Sequence, residues 1–196
     1  MNEVTSIKLN LLQTSGYANY NASTTSVVTV EDCILNNLRN FAPTIEQDCK
    51  TRYPIIEVAN WFLLKKPMTQ KKLQKLCYYA QAWCYALKNY RLIDSDFQAW
   101  IHGPVSPILY ELFKSFRYDT IKIKKGYTSK VSKEDQEFLE DIWTTYGSYT
   151  GNALEALSHS ELPWIQARIG YGPSERCTVV ISPESMRKYY LSIYNK

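Results

Sequence analysis

The sequence predicts a mainly α-helical protein: a compact helical bundle with a small β-hairpin and a poorly defined N-terminal appendage. Two observations support this prediction. From Pro54 onward, apolar residues recur at helical spacing between residues suited to begin or end helices. Before that point this periodicity is absent, and residues 16–26 are polar, uncharged and rich in Asn, Ser and Thr. We therefore expect a partly flexible appendage over residues 1–50 and a helical domain over residues 51–196.

The appendage contains two weaker signals. Val27–Val30 is typical of a strand, and Asp32–Phe41 is typical of a short helix. The polar segment before them buries too little apolar area to order itself.

Two helices joined at Pro67 are predicted to open the domain. The first begins near Pro54, and Pro67 ends it. Thr69 is suited to cap the second helix, which carries two adjacent apolar stripes. The stripes consist of Leu73, Leu76, Cys77, Ala80, Cys84 and Leu87, and of Tyr79, Trp83, Ala86 and Tyr90. Two stripes on one helix predict a central position in the bundle.

A third helix is predicted after an extended segment at Phe97–Ile101 and a loop at His102–Pro107. Ser106 is suited to be its N-cap, with proline at its first position. The spacing of its apolar residues predicts that five side chains point inward. These are Ile108, Leu109, Leu112, Phe113 and Phe116.

The β-hairpin is predicted over residues 121–131, where apolar and polar residues alternate around Gly126. Ser132 and the acidic residues after it are typical of a capping box, and Gly147 is typical of a helix end. The helix between them is expected to bury Phe138, Leu139, Ile142, Trp143 and Tyr146. The remaining predicted elements are short helices at Asn152–Leu157 and Pro163–Ile169, a strand at Thr178–Ile181, and a last helix from Ser182 through Tyr190.

Composition argues against nucleic acid and membranes as partners. The formal net charge is +4, and the basic residues are interspersed with acidic ones. The lysines at 71–75 and 122–125 are expected to lie on solvated surfaces. No apolar stretch approaches the roughly 20 residues that cross a bilayer, and the start of the chain lacks a signal peptide. We expect a cytoplasmic protein.

Cysteine, tyrosine and tryptophan usage gives two further expectations. The five cysteines are Cys33, Cys49, Cys77, Cys84 and Cys177. Their scattered spacing, without a C-x-x-C pair, favours reduced and mostly buried thiols. The 16 tyrosines and 5 tryptophans indicate either a surface for protein contact or a tyrosine-rich core.

The sequence contains few groups for catalysis or metal binding. It has no glycine-rich phosphate loop, and its cysteines lack the spacing of zinc ligands. His102 and His159 are the only side chains suited to base catalysis near neutral pH, and no nucleophile lies in a recognisable motif. We expect a protein without enzymatic activity, cofactor or metal, in which both imidazoles hydrogen-bond backbone groups.

Three segments in order resemble one protein family. They are Leu73–Trp83, Ala99–Pro107 and Ser158–Arg168. Together they are similar to the Panacea domain, also called the SocA-like or phage-associated GepA-like antitoxin domain, over about Ile55 to Tyr190. The family usually has Thr where this chain has Ser158, and residues 1–50 resemble nothing in it.

The resemblance implies an antitoxin role. Such domains are encoded beside varied small toxins, often in prophages, and neutralise them by direct contact. The implied partner is a cognate toxin, with a protease as a second partner if the chain acts as an adaptor. The structural or partner-binding candidates are Tyr78, Tyr79, Trp83, Trp100, His102, Gly103, Pro104, His159, Pro163, Trp164 and Arg168. At least half of the aromatic candidates are expected in the core.

Three alternatives stay open at the level of sequence. The first is a phage or mobile-element protein that binds and inhibits a host defence or regulatory factor, with the appendage as the added contact. The second is a DNA-binding repressor, although no predicted helix begins with the basic residues of a recognition helix. The third is an enzyme, such as a metal-dependent hydrolase, built on His102 and His159.

Overall fold

The computed structural model describes residues 51–194. The predicted appendage, with its strand and short helix, lies outside the described residues, as do Cys33 and Cys49. Within them the chain folds into seven α-helices and four short strands. The prediction of a mainly α-helical bundle with a small β-hairpin is confirmed.

The elements follow one another along the chain as short units around one long helix. The helices are α1 (Ile55–Lys65), α2 (Gln70–Leu87), α3 (Pro107–Phe113), α4 (Lys133–Tyr146), α5 (Gly151–His159), α6 (Leu162–Ala167) and α7 (Pro183–Tyr194), with a 3-10 turn at Lys114–Phe116. The strands are β1 (Met68–Thr69), β2 (Gln98–Trp100), β3 (Gly103–Val105) and β4 (Thr120–Ile121). Each predicted helix of the domain is present.

Helix α2 lies at the centre of the bundle, as its two apolar stripes predict. The Thr69 hydroxyl caps it by accepting the backbone N–H of Lys72. All fourteen residues from Leu73 to Ala86 are buried, on every side of the helix. Helices α1, α4, α5 and α7 pack around it. A helix enclosed in this way is stabilised mainly by the apolar area that its neighbours cover.

The β-hairpin exists, but its predicted position was wrong. Strands β2 and β3 form it, with Trp100 paired to Gly103 across a two-residue turn. The segment predicted as a loop at His102–Pro107 therefore contains a strand. Further along, β4 pairs with β1, so that Ile121 lies opposite Met68. Alternation at residues 121–124 indicated an extended segment without indicating its partner, because the period of a strand carries no information on pairing.

Helix α3 buries less than its spacing predicted. Leu109 is fully buried, whereas Ile108 and Leu112 are each 51% exposed and Phe116 is 38% exposed. The helix has only seven residues and packs on the body through one narrow side, so the other positions face outward. The prediction that all five apolar side chains point inward was wrong.

The segment at Thr178–Ile181 is not a strand of its own. Val180 forms an isolated bridge to Gln98 on the outer edge of β2. Two backbone hydrogen bonds flank the bridge, from Ala99 N–H to Val179 O and from Ile181 N–H to the carbonyl of residue 97. The segment therefore covers the free edge of the hairpin with backbone pairing, which satisfies its polar groups.

A buried carboxylate fixes the N-terminus of α4. Ser132 caps the helix, and Asp135 in its first turn accepts hydrogen bonds from Arg52 Nη1 at 2.7 Å, Tyr53 OH at 2.9 Å and Tyr90 OH at 2.5 Å. Burial alone would raise the pKa of Asp135, but these donors hold it below its usual value. The carboxylate thus joins the start of the domain and the segment after α2 to α4.

Candidate functional site

Three of the aromatic candidates lie in the core. Tyr78, Tyr79 and Trp83 on α2 are at most 1% exposed and pack with Tyr146 and Tyr190. The rings of Tyr79 and Tyr146 stack with centroids 4.1 Å apart, and Trp83 Nε1 donates to Tyr146 OH at 2.9 Å. Much of the tyrosine and tryptophan surplus on α2 is therefore core, and these side chains are not exposed to a partner.

The aromatic cluster encloses a carboxyl group. Glu161 is 3% exposed and accepts hydrogen bonds from Tyr190 OH at 2.8 Å and Tyr79 OH at 3.4 Å. Burial raises its pKa to about 8, and the two hydroxyl donors oppose that rise. The carboxyl group is therefore mostly protonated at neutral pH and acts as a polar core residue.

The second and third sequence motifs meet in the structure. Trp164 Nε1 donates to the carbonyl of Trp100 at 3.0 Å, and Arg168 Nη1 donates to the carbonyl of Ala99 at 2.9 Å. Arg168 Nη2 also reaches the carbonyls of Gly172 and Glu175, each at 2.8 Å. The guanidinium lies 5.2 Å from the Trp164 ring. Trp164 and Arg168 thus fasten the hairpin and the loop after α6 together.

The two histidines play different parts from the one expected. The His159 ring stacks on Trp164 with centroids 4.0 Å apart, and its Nε2 has no partner among the described residues. Burial lowers the pKa of His159. His102 is exposed and pairs through Nδ1 with Glu155 at 2.8 Å. Neither imidazole hydrogen-bonds a backbone group in residues 51–194, so that prediction was wrong.

Gly103 allows a lysine to approach the hairpin. Its φ is +89°, and a Cβ there would lie 2.8 Å from Lys75 Cε and 2.8 Å from Ser158 Oγ. Pro104, the next residue, accepts a hydrogen bond from Lys75 Nζ at 3.0 Å. Burial lowers the pKa of Lys75 to about 7. Gly103 and Pro104 of the second motif therefore form part of the surroundings of the buried Lys75 amine.

This lysine lies at a surface cleft of about 610 Å³ between the first turns of α2 and α5, the hairpin and the segment after α3. Its basic lining side chains are Lys71, Lys75 and Arg117, and the imidazole of His102 also lines it. No Asp or Glu lines it within the part of the chain that the structure describes. The cleft is therefore electropositive on its wall.

One carboxylate, that of Glu155, contacts the lining side chains without lining the cleft itself. Glu155 forms an ion pair with Lys71 at 2.6 Å, and its other carboxylate oxygen lies 2.8 Å from His102 Nδ1. Burial would raise the pKa of Glu155, but the hydrogen bonds from Lys71 and His102 lower it below its usual value. Glu155 thus orders the Lys71 and His102 side chains at the edge of the cleft.

Aromatic rings form the other side of the cleft. The rings of Trp100 and Tyr110 meet edge to face with centroids 5.0 Å apart. Tyr118 also lines the cleft and is 91% exposed, the highest exposure of any large apolar or aromatic side chain described. Gln70 of α2 donates to the backbone carbonyl of Tyr110 at 3.0 Å, which holds this side against the bundle.

The sequence prediction missed most of the cleft. Lys75 was expected on a solvated surface, yet it is 1% exposed. A usable signal was present: Lys75 lies four residues before Tyr79, so it continues the second apolar stripe of α2 toward the N-terminus. Arg117 and Tyr118 gave no comparable signal, because they follow α3 in an irregular segment.

The described residues contain few other groups for chemistry. Cys77, Cys84 and Cys177 are free and buried, and burial raises the pKa of Cys84 to about 12. No group of three or more His, Cys, Asp or Glu side chains in residues 51–194 is arranged to hold a metal ion. Nor does any helix in that range combine the length and apolar character needed to span a membrane.

Fold and cleft together define a small helical domain with a cleft on its hairpin side. Residues 73–165 match the family model described as "Antitoxin SocA-like, Panacea domain". This match to the SocA-like Panacea domain over residues 73–165 confirms the resemblance inferred from the three motifs.

A curated relative supports the same assignment. The chain is 31% identical over 110 residues to "Antitoxin SocA" of Caulobacter vibrioides (strain NA1000 / CB15N). The alignment covers 50% of this chain and 58% of the relative, so the chain spans little more than half the length of that protein. No solved structure gives a significant match.

Proposed function

We propose that this protein is an antitoxin that neutralises a toxic protein partner by direct binding, without catalysing a reaction. The match of residues 73–165 to the SocA-like Panacea family carries the proposal. The similarity to a protein named Antitoxin SocA supports it.

The geometry of the motifs supports binding over catalysis. Tyr79 and Trp83 are core, Trp164 and Arg168 bond to carbonyls, and His159 stacks on Trp164. None of these groups offers an accessible nucleophile with a base in hydrogen-bond reach, as covalent catalysis needs, because Tyr79, whose hydroxyl reaches Glu161, is fully buried. In this proposal the motifs build a rigid scaffold, and the partner binds the outer surface in the cytoplasm.

Co-expression tests the proposal directly. The protein encoded beside this chain is expressed under tight control, alone and together with the full-length chain, and growth is followed. We expect growth arrest by the neighbour alone and recovery in the presence of this chain, with the two proteins purifying as a complex. A harmless neighbour, or arrest that persists beside this chain, contradicts the proposal.

Substitution of each histidine separates binding from catalysis. We expect His159→Asn to keep protection against the neighbour, since binding does not require an imidazole to transfer a proton. His102→Asn changes the lining of the cleft, so it should weaken protection only as far as it weakens the complex. Thermal unfolding of each variant is the control for folding. Loss of protection with an unchanged melting curve and an intact complex would instead indicate chemistry at these residues.

A further inference from the structure

We propose that the cleft beside Lys75 is the docking site for an acidic segment of the protein partner, which places a carboxylate near the lysines and an aromatic or apolar side chain against the rings. The inference rests on the proposed function in one respect, that the partner is a protein. The features that select an acidic segment are all in the cleft itself.

The first feature is an excess of basic over acidic side chains on the wall. Lys71, Lys75, His102 and Arg117 line the cleft, and no described acidic side chain does. Glu155, behind the wall, bonds to Lys71 and His102 and leaves Lys75 and Arg117 without an ion pair among the described residues. A partner that brings carboxylates is therefore attracted, and one that brings ammonium groups is repelled.

The second feature is the bonding of Lys75. An ammonium group has three N–H donors. Within residues 51–194, Lys75 Nζ makes one hydrogen bond, to the carbonyl of Pro104 at 3.0 Å, although the residue is only 1% exposed. Burial of an amine with spare donors is unfavourable. A carboxylate entering the cleft would accept such a donor and favour the charged form of the lysine.

The third feature is the approach of two helix N-termini. Helix α2 begins at Gln70 and α5 begins at Gly151, and both ends line the cleft. They abut so closely that a Cβ on Gly151 would lie 3.2 Å from the backbone nitrogen of Lys72. The partial positive charge at each N-terminus adds to the field of the side chains and stabilises an anion between them.

The fourth feature selects a peptide over a bare anion. Trp100, Tyr110 and the 91% exposed Tyr118 line the same cleft. Exposed aromatic rings next to a charged pocket are typical of the anchor points of protein interfaces. The cleft volume of about 610 Å³ suits a few side chains of a short segment.

Charge reversal in the full-length protein tests the site. Arg117→Glu and Tyr118→Ala change exposed residues, so both should fold normally; Arg176→Glu and Tyr171→Ala are matched controls on exposed residues that do not line the cleft. We expect the cleft variants to weaken binding of the neighbour-encoded protein by about tenfold or more, measured by calorimetry, and the controls to bind as wild type does. Wild-type affinity should fall as salt concentration rises.

A second variant addresses the buried amine. Lys75→Met removes the charge and keeps the length of the side chain, and thermal unfolding checks its fold. We expect a folded protein with affinity for the partner reduced by about tenfold or more. If all three cleft variants bind and protect as wild type does, the inference is overturned while the antitoxin proposal stands.

A titration with peptides tests the cleft even if the neighbour-encoded protein is not the partner. A capped peptide of alternating Glu and Phe, its counterpart with Gln in place of Glu, and ATP are each titrated into the purified full-length protein. We expect saturable binding of the acidic peptide alone, lost in Arg117→Glu. Binding of ATP alone would overturn the inference in favour of a nucleotide site. Equal binding of both peptides, or no binding by any probe, would overturn it as well.

Discussion

Glu161 shows how a single ionisable residue makes the stability of this fold depend on pH. Its carboxyl group is held by Tyr79 and Tyr190 inside the aromatic cluster, with no cation bonded to it among the described residues. The pKa rises from 4.5 to about 8 on folding, so the folded state binds the proton more tightly than the unfolded state. The stabilisation is complete below pH 4.5 and is lost as pH rises toward 8.

We predict that Glu161→Gln removes this dependence. The wild-type free energy of unfolding should fall relative to that of the variant, by on the order of 4 kcal/mol between pH 4.5 and pH 8. Urea denaturation at several pH values measures the free energy of unfolding of both proteins. The difference between the two pH curves gives the contribution of Glu161, because Lys75 and His159 titrate in both proteins. Glu137→Gln, at an exposed position, is the control. A difference that is constant with pH would contradict the prediction.

Gly103 is a second residue whose role follows from its surroundings. We predict that Gly103→Ala lowers the free energy of unfolding by roughly 2–4 kcal/mol, because the new Cβ is strained at positive φ and collides with Lys75 and Ser158. Gly170→Ala is a close control, since Gly170 has the same φ of +89° and a Cβ added there would have no atom within 4 Å. Equal losses in the two variants, measured by urea denaturation, would show that the contact with Lys75 contributes nothing.

Arg117 combines backbone strain with a position at the cleft. Its φ is +49°, which is unfavourable for a residue with a Cβ. We predict that Arg117→Gly raises the free energy of unfolding by about 0.5–1 kcal/mol and at the same time weakens binding of the partner. Denaturation and calorimetry on one preparation measure both. A variant that is more stable and binds equally well would separate the strain from function.

At the scale of elements, the hairpin and the third motif form one assembly. Arg168 bonds to carbonyls of β2 and of the loop after α6, which lie on different segments. A planar guanidinium with five donors reaches them together, whereas an ammonium on a flexible stem does not.

We predict that Arg168→Lys therefore costs about 2–3 kcal/mol of stability and loosens the hairpin, even though the charge is kept. Thermal unfolding measures the loss, and hydrogen exchange at Ala99 and Ile181, whose N–H groups bond across the outer edge of β2, reports the loosening. Arg176→Lys, on an exposed residue, should have no effect. Unchanged exchange in Arg168→Lys would contradict the assembly.

Local signals predicted the helices, and non-local ones were needed for the rest. Thr69, Ser106 and Ser132 each cap the helix that the sequence assigned to them, because an N-cap bond spans only three residues. The pairing of β4 with β1 joins residues about 50 positions apart, and no local pattern encodes it.

The same distinction between local and non-local signals applies to the cleft. The motifs predicted that the hairpin and the third motif matter, but not that Trp164 and Arg168 would meet β2. Lys75 was misplaced because a single lysine is normally solvated, and only its place on a stripe indicated burial. Arg117 and Tyr118 reach the cleft through a turn whose course depends on packing, which the sequence pattern does not describe.

For the whole molecule, α2 should be the slowest part to exchange its amides with solvent. It is enclosed by α1, α4, α5 and α7, so exposing it requires those helices to separate. We predict exchange in α2 at the rate of global unfolding, and much faster exchange over residues 114–130, which are largely exposed. Hydrogen exchange followed by mass spectrometry measures both. Early exchange in α2 would show that the bundle opens in parts.

Because α2 is enclosed, most residues that show the family resemblance differ from those that a partner can contact. The segment Leu73–Trp83 carries the first motif of the family resemblance. All of it is buried, and of its residues only Gln74 and Lys75 line the cleft, so a partner cannot contact the others. Similarity over that segment consequently reports shared scaffolding. To redirect the protein to a new target, the interior would be kept and the exposed residues of the cleft would be substituted, beginning with Arg117 and Tyr118.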